Sequence, residues 1–130
     1  MEDTIVTFET AKLAKEKGLD ALCYDAFNYM GNLYSNGWCE YLYDNKVEIP
    51  FRSGVLESQD TLAPTQSLLA KWLREEHNII VLVDYEGIDG YYYKFYSYKE
   101  GNKNYDASDK NYNTYEEAYE IGLQEALKLI

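Results

Sequence analysis

Residues 64–98 have the sequence PTQSLLAKWLREEHNIIVLVDYEGIDGYYYKFYSY, in which one helix signal is followed by two strand signals. The helix opens at residues 64–67 and ends at Asn78. Its apolar side chains recur at the spacing of one helical face; they are Leu68, Leu69, Trp72 and Leu73. We expect these four side chains to be buried against a sheet.

The rest of this stretch is the clearest hairpin signal in the chain. Residues 79–85 form an apolar strand, residues 86–90 a turn and residues 91–98 a returning strand. Alternation places Tyr91, Tyr93, Phe95 and Ser97 on one face of the second strand, and Tyr92, Lys94, Tyr96 and Tyr98 on the other. Since both faces are aromatic, we expect each to contact something. Our candidate partner-binding residues are Tyr92, Tyr96 and Tyr98.

Two further helices lie outside this stretch. The first is predicted over residues 8–17, with Thr7 as its N-cap and Gly18 as a left-handed stop. The last begins at Thr114, where Glu117 completes a capping box, and Gly122 on its apolar face allows close packing.

The segments between the helices are less regular. Residues 22–43 predict two or three strands, with turn signals at Gly31-Asn32 and, more strongly, at Asn36-Gly37. Residues 47–51 predict a short edge strand within a polar stretch, and residues 100–113 a polar loop. The elements together predict a single α+β domain, residues 1–130. Its antiparallel sheet of about four or five strands is packed by three helices in two layers.

Charge excludes several classes of function. The net charge is −11, from 12 basic and 23 acidic residues, so binding to nucleic acid or to an anionic membrane surface is disfavoured. No apolar run approaches the roughly 20 residues of a membrane span. Two interpretations of the acidity remain open: it maintains solubility, or the acidic surface is functional and is either offered to a basic partner or imitates a nucleic-acid backbone.

The cysteines and the first residues indicate a cytoplasmic location. Residues 1–4 are acidic where a secretory leader carries basic charge. Cys23 and Cys39 are therefore predicted to be reduced thiols. A bridge between them would require their strands to be neighbours.

Catalytic and metal-binding patterns do not emerge from the sequence. His77 is the sole histidine and falls at the end of a helix, where we expect it to be solvated. Asp109, Asn111, Asn113 and Glu120 superficially trace a calcium loop, but Thr114 stands where that loop needs glycine. Phosphate-binding loops and nucleophile elbows are not found either. We predict no catalytic residue, no cofactor and no metal.

Three stretches resemble a family of small uncharacterised proteins of phages, prophages and mobile elements of gut bacteria. They are residues 7–18, residues 64–75, and residues 114–118 with 122–128, and they cover about a third of the chain. The family has no established activity, so the resemblance carries over no functional residue. It implies a phage-like accessory protein that acts in a bacterial cytoplasm.

The sequence therefore favours a non-catalytic interaction or regulatory module whose partner is a protein, with its oligomeric state left open. The alternative is an acidic decoy that imitates nucleic acid and inhibits a host DNA-binding protein. An enzyme ranks third.

Overall fold

The computed structural model describes residues 3–39, 60–99 and 102–130; of these, the side chains of residues 36–39, 99 and 102–104 are not described. The described residues contain helices α1 (Phe8–Glu16), α2 (Gln66–His77) and α3 (Tyr115–Leu127), and strands β1 (Cys23–Phe27), β2 (Leu33–Cys39), β3 (Thr61–Ala63), β4 (Ile79–Tyr85), β5 (Tyr91–Lys99) and β6 (Asn102–Ala107). The predicted α+β class and its three helices are confirmed. Across the described ranges, no helix is long and apolar enough to cross a membrane.

The described strands form two antiparallel sheets of three strands, in the orders β2-β1-β3 and β4-β5-β6. The predicted single sheet of four or five strands is therefore not found among the described residues. The chain also divides into two compact units. One is Ile5–Thr65, and the other combines Met1–Thr4 with Gln66–Ile130. A single cooperative domain over residues 1–130 stays a prediction.

In the unit Ile5–Thr65, the helix α1 begins and ends where its sequence signals lie. The backbone N–H of Thr10 donates to Oγ1 of Thr7 at 3.3 Å, which caps the helix. Gly18 has φ of +89°, and the following Leu19 N–H donates back to the Ala14 carbonyl at 3.0 Å. Leu19 is fully buried, as a helix stop with a hydrophobic closure requires.

The connection between β1 and β2 differs from the strongest turn signal. The turn lies at residues 28–32, where the Asn28 N–H donates to the Asn32 carbonyl at 2.9 Å. Asn36-Gly37 instead falls inside β2, between Ser35 and Cys39. The β1 partners of these two residues are Asp25 and Cys23, and the pairing register shifts between them. A bulge has the same need for permissive backbone as a turn, and local sequence does not separate the two. The predicted strand at residues 47–51 lies outside the described residues.

The same register places Cys23 opposite Cys39 on neighbouring strands, so the condition for a bridge is met at the backbone. Cys23 is buried, and its Sγ donates to the Ala21 carbonyl at 3.6 Å. The side chain of Cys39 lies outside the described part, so the reduced state of the pair stays a prediction.

In the other unit, α2 buries the face that its spacing predicts. Leu69 and Leu73 are fully buried and Trp72 is 7% exposed, whereas Leu68 is half-buried. Asn78 ends the helix with φ of +55°, a conformation that Asn adopts more readily than most residues. β4 follows at once and contacts α2.

Strands β4 and β5 pair in register from Ile79 with Ser97 to Tyr85 with Tyr91, which confirms the predicted hairpin. The polar loop predicted over residues 100–113 is wrong in part, because residues 102–107 form β6 against β5. That segment has low strand propensity and no apolar alternation. Its pairing depends on the free edge of β5, which local sequence does not reveal.

The helix α3 packs on β4 and β5, and Gly122 lies at the contact. The Thr114 hydroxyl accepts from the Glu117 N–H at 3.1 Å, as the capping signal predicts. Gly122 is buried, and a Cβ added there would lie 2.8 Å from Cβ of Tyr93 and 3.1 Å from Cγ1 of Val81. The close packing predicted at Gly122 is therefore confirmed, and α3 covers the sheet face that carries Val81 and Tyr93.

Candidate functional site

The second face of the β4-β5-β6 sheet, opposite the one that α3 covers, is called here the outer face. Its position follows from the register, since Ile80 pairs with Tyr96, Leu82 with Lys94 and Asp84 with Tyr92, and Tyr96 also pairs with Tyr105. By this register, the positions of the outer face are Ile80, Leu82, Asp84, Tyr92, Lys94, Tyr96, Tyr98, Lys103, Tyr105 and Ala107.

The middle and one end of the outer face are apolar and open to solvent. Tyr98 and Tyr105 are each 58% exposed, and Ile80 and Leu82 are each about 40% exposed. The rings of Tyr96 and Tyr105 contact each other, with centroids 5.0 Å apart. Large contiguous patches of exposed apolar side chains mark interaction surfaces in soluble proteins.

The other end of the outer face carries a compact polar group. Oδ2 of Asp84 accepts from Nζ of Lys94 at 3.2 Å and from the Tyr92 hydroxyl at 3.4 Å. The Tyr85 backbone N–H and the Lys94 ammonium both lower the pKa of the Asp84 carboxyl, and the hydrogen bond to Asp84 raises the pKa of Lys94. Both groups are therefore ionised at neutral pH, and the pair adds no net charge to the face.

The three candidate residues predicted from sequence lie together on the outer face, in different settings. Tyr98 is exposed, Tyr96 is half-buried against Tyr105, and Tyr92 is held by Asp84. Desolvation, followed by the charge of Asp84, raises the pKa of Tyr92. Of the three, Tyr98 and Tyr96 are the better placed to contact a partner.

Sequence reasoning missed Ile80, Leu82 and Tyr105. Residues 79–83 form a continuous apolar run, which is typical of a strand covered on both faces. In the structure Ile79 and Val81 are buried while Ile80 and Leu82 are exposed, so only one face is covered. Tyr105 was hidden because its segment was interpreted as a loop.

The opposite face of β5 is used for packing. Phe95 is buried, and the Tyr93 ring lies parallel to it with centroids 6.2 Å apart. Burial, then the negative charge of Glu125, raises the pKa of Tyr93 to about 12. The two faces of β5 thus divide into one that α3 covers and one that is open.

The residues considered for catalysis and metal binding occupy structural positions. The half-buried His77 ring meets the edge of Trp72 at 4.6 Å between centroids, so His77 is packed rather than fully solvated. Glu120 is buried beside Gln66, and the Asn111 amide donates to Glu86 at 3.0 Å. Over the ranges that the structure describes, no group of three His, Cys, Asp or Glu side chains is placed to hold a metal ion.

Comparison with known proteins adds no relationship to these observations: no protein-family model matches the chain, and no significant match was found among curated proteins or solved structures.

Proposed function

We propose that the protein is a non-catalytic interaction module whose outer face docks a protein partner. The observation that carries the proposal is the contiguous exposure of Ile80, Leu82, Tyr98 and Tyr105 around Tyr96. Aromatic side chains supply much of the energy of protein interfaces, because they bury a large area at little conformational cost. The predicted two-layer packing, a sheet with helices against it, belongs to the same proposal, because it leaves the second face of the sheet to a partner.

The partner has an apolar centre and a basic rim. The apolar centre matches the exposed part of the outer face. A basic rim is favoured because the chain carries a net charge of −11, which attracts positive surfaces and repels other acidic ones. From the resemblance of the helical stretches to phage and mobile-element proteins, we propose that this partner acts in the cytoplasm of a bacterial host.

The test compares wild-type protein with outer-face and control variants on a biosensor surface exposed to host lysate. Tyr98→Ser and Tyr105→Ser remove exposed rings from the outer face, and Tyr29→Ser removes a 67% exposed ring in the other unit. We expect one retained protein to dissociate about 30-fold faster from each outer-face variant, as losing about 2 kcal/mol at a hot spot implies. Dissociation from Tyr29→Ser should match wild type.

Salt and DNA separate this proposal from the acidic decoy. For docking through aromatic contacts, raising salt from about 0.05 to 0.5 M leaves dissociation nearly unchanged, because packing is weakly screened. A decoy gives the opposite result: its complex dissolves in salt, DNA displaces it, and the tyrosine variants behave as wild type. That second set of results, or a partner retained equally by all variants, would overturn docking at the outer face.

A further inference from the structure

A cavity of about 640 Å³ lies within the unit formed by Met1–Thr4 and Gln66–Ile130. Its walls include three tyrosines, two carboxylates and one amide: Tyr91, Tyr115, Tyr119, Asp3, Glu116 and Gln66. Cavities of this size hold small ligands. Tyr91 belongs to the β5 face opposite Tyr92, so the cavity is separate from the outer face and independent of the function proposed there.

The three tyrosine rings meet edge to face. The ring centroids of Tyr91 and Tyr115 are 6.3 Å apart at 81°, and those of Tyr115 and Tyr119 are 5.6 Å apart at 77°. Rings held at such angles present π faces in more than one direction. The face of an aromatic ring is negative and attracts cations.

Several polar groups of the cavity can accept hydrogen bonds. Gln66 is 3% exposed, and its Nε2 donates to the Glu116 carbonyl at 3.0 Å and to Oε1 of Glu120 at 3.1 Å. Because both amide protons are used, the Gln66 side chain has only its carbonyl oxygen left to offer. The carboxylates of Asp3 and Glu116 add negative charge, and no lysine or arginine is among the described residues that line the cavity.

Two helices begin at this cavity, and helix starts ordinarily favour anions. Here one backbone donor at each start is already occupied. The Gln66 N–H at the start of α2 donates to the Thr4 carbonyl at 2.7 Å, and Thr114 caps the Glu117 N–H of α3. Glu116 and Glu117 in the first turn of α3 further offset its dipole. Among the described side chains that line the cavity, the charged groups are the carboxylates of Asp3 and Glu116.

We propose that this cavity binds an alkylammonium group, carried either by a free amine or by a lysine side chain. The rings contact the alkyl part and the charge, and Asp3 and Glu116 supply the counter-charge for any ammonium group. Where the ammonium carries N–H groups, as in a primary amine or lysine, the Gln66 carbonyl and the carboxylates also accept its hydrogen bonds. Burial, followed by Tyr115 and Asp3, raises the pKa of Tyr119 to about 12 against the opposing effect of Arg74, so its phenol stays neutral even in mildly alkaline solution.

The test is an NMR titration of the full chain with choline and with 3,3-dimethylbutan-1-ol, its uncharged analogue of the same shape. We expect choline to shift the amide signals around the cavity and to bind at least about tenfold more tightly than the alcohol. Glu116→Gln should weaken choline binding about fivefold, whereas Glu117→Gln, which makes the same charge change outside the cavity, should change it less than about twofold.

Ring variants and two amines complete the experiment. Tyr115→Leu should weaken choline binding about tenfold, while Tyr29→Leu leaves it unchanged; signal dispersion in the same spectra shows that each variant is folded. Binding of n-butylamine but not of N-acetyl-lysine methylamide identifies a free amine, and binding of both admits a lysine side chain. Equal binding of alcohol and choline, equal effects of Glu116→Gln and Glu117→Gln, or no saturable shift with any ammonium probe would overturn the proposal.

Discussion

Trp72 shows how one residue ties a helix to its surroundings. Its side chain is 7% exposed and meets the His77 ring at 4.6 Å between centroids. Replacing it by alanine removes most of this buried area and leaves a cavity, so we expect a loss of about 3–5 kcal/mol in the free energy of unfolding. Chemical denaturation measures the loss. The exposed neighbour Lys71→Ala serves as the control and should change stability by less than about 0.5 kcal/mol.

A loss below about 1 kcal/mol for Trp72→Ala would contradict the burial of this face. Leu68, the fourth residue predicted for the same face, is only half-buried. Helical spacing determines which side of α2 is apolar. How much of that apolar side is buried depends on the elements that pack against it.

At the scale of the element, Gly122 sets the distance between α3 and its sheet. In an open helix, Gly122→Ala would stabilise by about 1 kcal/mol through helix propensity. Here the new methyl group would lie 2.8 Å from Cβ of Tyr93, an atom fixed by the β5 backbone. We expect overpacking to win and Gly122→Ala to destabilise the protein by about 1–2 kcal/mol in thermal or chemical unfolding. Stabilisation would show that α3 can move away from the sheet.

The elements that were predictable are those with local signals. Thr7 and Gly18 bound α1, Thr114 caps α3, and residues 79–98 form the hairpin, because each depends on neighbours in sequence. The strand β6 and the bulge at Asn36-Gly37 depend on which strands meet in space, so local patterns did not give them.

The two candidate sites also contain features that local sequence predicts and features that only the folded structure reveals. Alternation along one strand sufficed to group Tyr92, Tyr96 and Tyr98 on one face, whereas Ile80 and Tyr105 join them only through strand pairing. The cavity was not predictable, since the segments before α1, at the start of α2, in β5 and at the start of α3 all contribute to its walls.

At the scale of the whole molecule, one of the two compact units is built from two separate stretches of the sequence. The unit Ile5–Thr65 interrupts the other unit between Thr4 and Gln66. Its two ends are held together: Ile5 pairs with Thr65 in an antiparallel bridge, and the Val6 N–H donates to the Pro64 carbonyl at 3.0 Å. One step further out, the Gln66 N–H donates to the Thr4 carbonyl at 2.7 Å.

From the pairing of Ile5 with Thr65 we predict that residues 6–64 can be exchanged for another connection. Because Ile5 and Thr65 are already paired, an Asn-Gly turn in place of residues 6–64 should connect them as a two-residue hairpin. We expect the shortened chain to unfold cooperatively at lower stability, since a smaller domain buries a smaller fraction of its surface. Circular dichroism and NMR dispersion would show it folded. A disordered shortened chain would mean that the unit of Met1–Thr4 and Gln66–Ile130 cannot fold without residues 6–64. An ordered one would mean that other sequences can be inserted between Ile5 and Thr65.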